Sequence, residues 1–256
     1  MVFEVEVFKV FALVMIRFSG LIVSAPILGS NNFPVMAKAG LAAFCALLIT
    51  PVLPSLPEPL PDTVLGLAAM GVGELLIGLM MGFVMTLLFA AIQVGGQIID
   101  MLSGFALMNI FNPALETQVP IFGFFLFIMA TLYLLVLNLH HVMLRALAAT
   151  FDKIPLGGFV ANPALLREVS TWGSAMFYDG LLIAAPVTAA LLLTYVTMGL
   201  LGRLVPQLHL FVVGFPLTIG MGLLVVAFSI GLYLQVVDGM YHRMIQNLTV
   251  VVRGMA

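Results

Sequence analysis

Tyr178-Asp179 and Asp238 lie in strongly apolar segments. Two aspartates in such a setting are what an intramembrane aspartyl protease uses to activate water. The match fails in its second half. Enzymes of that class carry Gly-x-Gly-Asp, whereas this chain reads Val237-Asp238-Gly239. Aspartates that pair with neighbours or sit at helix ends account for both. His140-His141 offers two imidazoles, but no Glu-x-x-His follows, as a helical zinc site requires. Adjacent residues point in different directions on a helix, so an interfacial or loop position is expected for them. Cys45 is the one cysteine, which excludes an internal disulfide and a cysteine-based zinc site. The chain has neither a Gly-x-Ser-x-Gly elbow nor a phosphate loop. Asn247-Leu248-Thr249 fits a glycosylation sequon, too short a match to carry weight. No catalytic residue, metal site or cofactor is expected.

Charge inside apolar sequence says more. Glu74 stands in a long apolar run, and Arg17 in the first one. Ionisable groups in such places are costly, face protein or water, and pair. They could line a proton path or clamp helices together; with no polar stripe along one helix, the clamp is preferred. Lys38, Asp100, Asp179, Arg203 and Asp238 join Arg17 and Glu74 as expected structural clamps. Methionine is abundant, at 17 residues including Met80-Met81. It fills irregular gaps in cores and can also form a soft, adaptable gasket.

The elements that must hold these residues follow from composition. Of 256 residues, 63% are hydrophobic and 8% charged, against about 25% charged in a soluble domain. A soluble monomer is excluded. The net charge of −2 also argues against nucleic acid, which demands a basic stripe. The N-terminus, with Glu4 and Glu6 ahead of Lys9 and Arg17, does not read as a cleaved signal. Charge-free windows cover Phe18–Ala37, Ala39–Pro57, Leu75–Ile99, Thr117–Leu144, Gly180–Gly202 and Leu204–Val237. About 20 apolar residues span a bilayer core, so six long apolar helices are expected.

Pro26 and Ser30-Asn31-Asn32 should end the first helix near Leu28. Gly214-Phe215-Pro216 should break the last window, leaving a loop from Arg203 to Phe215 and a helix from Pro216 to Met244. Pro51, Pro54, Pro57, Pro59 and Pro61 make a stiff spacer, and Asp62 is the expected N-cap after it. Phe151 to Gly173 is a polar excursion in which Asn162-Pro163 reads as N-cap and first helical residue. Asp100 to Pro120 is too polar for a span and too apolar for a solvent loop. Gly78-x-x-x-Gly82, Gly20/Ser24 and Ala185/Ala189 supply close helix packing. The basic-residue rule gives no consistent serpentine topology.

Four stretches resemble the FliR/SctT family of type III secretion export-gate proteins. They are Arg17 to Pro26 with Phe33-Pro34 and Lys38; Gly78 to Asp100, ending Gly95-Gly96-Gln97-Ile98-Ile99-Asp100; Ile110-Phe111-Asn112-Pro113; and Leu201 through Pro216, the longest and most distinctive. In that last run His209 stands where Asn is more usual. The resemblance covers essentially the whole chain. It implies an all-α integral membrane protein of long bent helices and helical hairpins. One copy would assemble with FliP-like and FliQ-like subunits into a right-handed helical export gate, with FlhB- and FlhA-like proteins as further partners.

The resemblance also implies a FliP-like region over residues 1–171 and a FliQ-like hairpin and tail over 172–256. A plug loop would lie at about 106–120, with Ile110, Phe111, Asn112 and Pro113 as its gating residues. The expected role is a non-enzymatic pore subunit at the centre of the flagellar basal body in the bacterial inner membrane, passing unfolded flagellar subunits. The competing readings are an injectisome subunit of the same family and a proton-coupled small-solute transporter. A transporter should show paired halves around a midplane site, and no such halves are visible in the sequence.

Overall fold

The computed structural model describes residues 2–53, 60–105, 120–160, 162–205 and 210–255. Those residues form α-helices joined by turns and short 3-10 segments: α1 (Val2–Ser24), α2 (Val35–Ile49), α3 (Val64–Ser103), α4 (Ile121–Val136), α5 (Leu139–Ala149), α6 (Pro163–Leu204) and α7 (Leu210–Met255). The described residues contain no strand. Five helical stretches are long and apolar enough to cross a membrane. A sixth forms if α4 and the Leu139–Asp152 stretch count as one broken span, bent by 66°. The bend falls at Asn138, whose φ of 55° is left-handed, a conformation asparagine tolerates better than most residues.

Helix boundaries follow local chemistry, with corrections to the sequence reading. The N-cap of α3 is Thr63, not Asp62: its hydroxyl accepts the Gly66 N–H at 3.2 Å. Asp62 instead meets Lys9 at 3.2 Å. Asn162 caps α6 as expected, its Oδ1 accepting the Ala164 N–H at 2.9 Å. The first helix stops at Ser24, a turn short of Leu28. The expected loop from Arg203 to Phe215 is far shorter: α6 runs to Leu204, α7 begins at Leu210, and Pro216 lies inside it. In apolar surroundings an unwound backbone has no water to bond, so helix persists through a proline that would end it in water. Gly214 and Phe215 then act as packing residues. A Cβ on Gly214 would strike the Met198 Cε at 2.5 Å, and the Phe215 ring fills the space beside Gly104. At its other end α7 continues past Met244 to Met255.

Two compact units emerge, one from residues 1–87, 134–172 and 243–256, the other from 88–133 and 173–242. In the first, α2 packs on α1, and Leu13, Phe18, Ile77, Met81 and Leu147 are buried. Its segment after α5 is not a solvent excursion throughout, because Phe151, Ile154 and Leu156 are buried too. In the second, Ile92, Phe122, Ala130, Val187, Leu191 and Val237 are buried. Large apolar side chains also line the outside, among them Met36, Phe44, Leu193 and Phe228.

Candidate functional site: two buried polar centres

In the first unit the small residues of α1 and α3 face each other. A Cβ on Gly20 would lie 2.7 Å from the Leu75 carbonyl oxygen, and one on Gly78 would overlap the backbone oxygen of Arg17. Gly82 sits against the side chain of Ser24, whose hydroxyl donates back to the Gly20 carbonyl at 2.7 Å. Gly20/Ser24 and Gly78/Gly82, visible in the sequence as separate pairs, are the two halves of one contact. Backbones this close bring the neighbouring turns into register.

That register joins Arg17 to Glu74, both fully buried. Arg17 Nε donates to Glu74 Oε2 at 2.5 Å, Nη1 to the Thr150 hydroxyl at 2.9 Å, and Nη2 to the Ile154 carbonyl at 3.2 Å. The other carboxylate oxygen, Oε1, accepts the Gly157 N–H at 2.9 Å. Gly157 holds φ at 77°, which a side chain would strain. The guanidinium lies 4.0 Å from the centre of the Phe151 ring, within cation–π range. Each guanidinium nitrogen and both carboxylate oxygens have a partner inside one unit, and the centre ties α1, α3 and the Thr150–Gly157 segment together.

In the second unit the corresponding polar group is Asp100. It is 4% exposed and accepts two consecutive backbone donors at the start of α4: Phe122 N–H on Oδ1 at 3.0 Å and Gly123 N–H on Oδ2 at 3.1 Å. The turn before Asp100 permits this approach. Gly95 lies under the Gly180 carbonyl of α6, at 2.8 Å from where a Cβ would stand, and Gly96 lies directly on Gly123. The last carbonyls of α3 are also held. Tyr195 donates to Leu102 O at 2.6 Å and Thr218 to Ser103 O at 2.9 Å. Phe105 meets Phe122 edge to face at 5.5 Å.

A line of tyrosines continues along α4. Tyr233 donates to Leu126 O at 2.6 Å, Tyr241 to Ala130 O at 2.7 Å, and Tyr133 to Asp238 Oδ1 at 3.0 Å. Asp238 also faces His242 one turn on, at 3.6 Å. Sequence reading missed the tyrosines and the role of Asp100 toward α4.

The remaining residues singled out are spread over the fold. Lys38 donates to the Gly29 carbonyl at 2.9 Å, Asp179 is buried on α6, and Arg203 is exposed in its last turn. His140 and His141 stack at 4.1 Å between ring centres. Among the described residues no group of three or more His, Cys, Asp or Glu could hold a metal. Ile110, Phe111, Asn112, Pro113 and Glu116 lie outside the described residues, as do Pro54, Pro57, Pro59 and the Pro206–His209 part of the longest family-like run.

Long apolar helices locked by buried polar centres define an integral membrane protein. The sequence model of the family described as bacterial export proteins, family 1, matches residues 8–244, and the chain belongs to that family. It is similar to the flagellar biosynthetic protein FliR of Bacillus subtilis (strain 168), with 30% identity over 247 residues and 95% of each chain covered. FliR of Escherichia coli (strain K12) is 33% identical over 213 residues, covering 83% of this chain and 81% of that protein. FliR of Caulobacter vibrioides is 28% identical over 239 residues, covering 93% and 95%. The protein is a subunit of the flagellar export apparatus.

Proposed function

We propose that the chain is a pore subunit of the flagellar type III export gate, through which unfolded flagellar subunits cross the bacterial inner membrane. In this reading one copy assembles with FliP-like and FliQ-like subunits, at the centre of the basal body and next to FlhB- and FlhA-like proteins. The regions 1–171 and 172–256 correspond to the FliP-like and FliQ-like parts. The subunit performs no chemistry of its own. Arg17 and Glu74 act as a clamp and not as a proton carrier, since each guanidinium nitrogen and both carboxylate oxygens already bond a protein partner. Lys38, Asp179, Arg203 and Asp238 serve as further structural anchors, and Gly78 and Gly82 as helix-packing positions.

The observation that carries the pore reading is the rigid base from which residues 106–119 depart and to which they return, built on the end of α3 and the start of α4. A pore wide enough for an unfolded chain must hold back ions at rest. Bulky apolar residues such as Ile110 and Phe111 can do so by excluding water from a constriction, while Asn112-Pro113 sets a turn. Deleting Ile110 to Ala114 is expected to leave the complex assembled and leaky to small solutes, with Phe111→Ala leaking less. Ion conductance or small-molecule uptake in cells without export substrate measures this. A deletion variant that assembles and stays as tight as the parent would overturn the plug.

A further inference from the structure

In the first unit, α5 and the last turns of α7 leave a cavity of about 380 Å³ between them, with the buried Met81 of α3 among its walls. That volume lies within the roughly 300–1,000 Å³ of sites that take small molecules. From α5 come Val142, Ala146 and Ala149, which share one face of the helix. From α7 come Ile245, Leu248 and Val252, again on one face. The space exists because α5 offers two methyl groups where larger side chains would close it. Thr249 brings a hydroxyl, but it donates to its own helix, to the Gln246 carbonyl at 2.6 Å. Whatever enters therefore meets hydrocarbon.

One end of the cavity is different. Lys153, just past α5, and Arg253, in the last turn of α7, also line it. Both are exposed, and the side chain of neither is paired with a described residue. Asp152, the neighbour of Lys153, is exposed as well and does not pair with it. Two uncompensated cations thus stand together where the two helices finish.

Left empty, such a cavity forfeits the contacts its walls could make, and water finds no polar partners among them. A free anion such as phosphate would meet the two cations and only hydrocarbon beyond them. A partner helix, about 10–12 Å across, is too wide to enter a space of this volume. A molecule with an anionic head and a flexible apolar chain suits both parts, and the bilayer around an integral membrane protein supplies one. Basic pockets between membrane helices match phosphate headgroups in this way. We propose that the cavity binds an anionic phospholipid, its phosphate held between Lys153 and Arg253 and one acyl chain lying between α5 and α7. Such a site needs only a chain embedded in lipid and is independent of the pore reading.

Protein purified from membranes in detergent, with the subunits that accompany it, is given phosphatidylglycerol or phosphatidylcholine of matched chains, and bound lipid is read by native mass spectrometry. The parent should hold phosphatidylglycerol in preference. Lys153→Gln with Arg253→Gln should weaken phosphatidylglycerol binding about 30-fold and leave phosphatidylcholine unaffected. Ala146→Leu narrows the cavity and keeps both cations, so it should lose the bound lipid, which surface charge alone would still attract. Glycerol 3-phosphate, a head without a chain, should not compete. A parent that takes both lipids equally overturns the proposal, as does competition by glycerol 3-phosphate. An assembled Ala146→Leu protein that keeps its lipid overturns it too. Where Ala146→Leu cannot be recovered, the charge variant decides, since both of its residues are exposed: an unchanged preference for phosphatidylglycerol overturns the site, and a lost preference upholds it.

Discussion

Arg17 and Glu74 show how much a single buried charge depends on its partner. Truncating Glu74 to Ala leaves a guanidinium out of water with Thr150, the Ile154 carbonyl and the Phe151 ring but no counter-charge, and breaking a pair this way costs about 3–5 kcal/mol. Glu74→Ala should lower the yield of assembled complex, read from the recovery of detergent-solubilised material. An apolar replacement of both partners, Arg17→Met with Glu74→Leu, should recover more than either single change, because no lone charge remains. A proton carrier behaves otherwise: complexes would form normally while export lost its dependence on proton-motive force. Sequence exposed both residues as costly charges in apolar runs. It could not pair them, since 57 positions separate them and the contact depends on how two helices cross. Asp100 was harder still. The clue was a helix beginning directly after a proline, whose own side chain offers no acceptor to the free N–H groups of the first turn.

The helices themselves were the most legible part, because uninterrupted apolar length is a one-dimensional property. Charge gaps located the spans, and Asn162-Pro163 marked the start of α6. The errors came where a local rule met apolar surroundings. Gly214-Phe215-Pro216 would end a helix in water, yet α7 runs through it. The small-residue pairs were visible, while the fact that two of them face each other was not. That contact is testable. Gly78→Ala places a methyl against backbone of α1 on several sides, so α1 and α3 must separate, at a cost of about 1–3 kcal/mol. Assembly yield and thermal stability of the complex should both fall. Gly40→Ala on α2 meets nothing within 4 Å in this chain and, as a Gly-to-Ala change inside a helix, should lower neither. Equal losses at the two positions would mean that the α1–α3 contact is not the cause.

As a whole, the molecule leaves much of its apolar surface uncovered. Only 28% of the most apolar stretch of α6 and 22% of that of α7 are buried. These helices have 42 and 46 residues, about 63 and 69 Å at 1.5 Å per residue, twice the roughly 30 Å of a hydrocarbon core. Lipid can cover only part of such a length, and in the reading proposed above unlike subunits cover the rest. Expressed alone, the chain should aggregate or be degraded, and co-expression with FliP-like and FliQ-like proteins should rescue it. Mass determination of the intact complex should return one copy of this chain. A stable, monodisperse lone chain in detergent would contradict the dependence on partners.

Tying both ends of a segment to one point also turns it into a leash of fixed length. Between Ser103 and Pro120 the chain can extend by no more than about 60 Å, so an excursion that must return to the same base ends at roughly half of that. In the pore reading proposed above, nothing on the leash could drift farther away, whatever the size of the passing cargo. If residues 106–119 form the proposed plug, a seal tethered at both ends would be displaced without being lost. The proposed plug would then reseal by the local search of a short tethered chain, which for loops of this size is on the order of a microsecond or less.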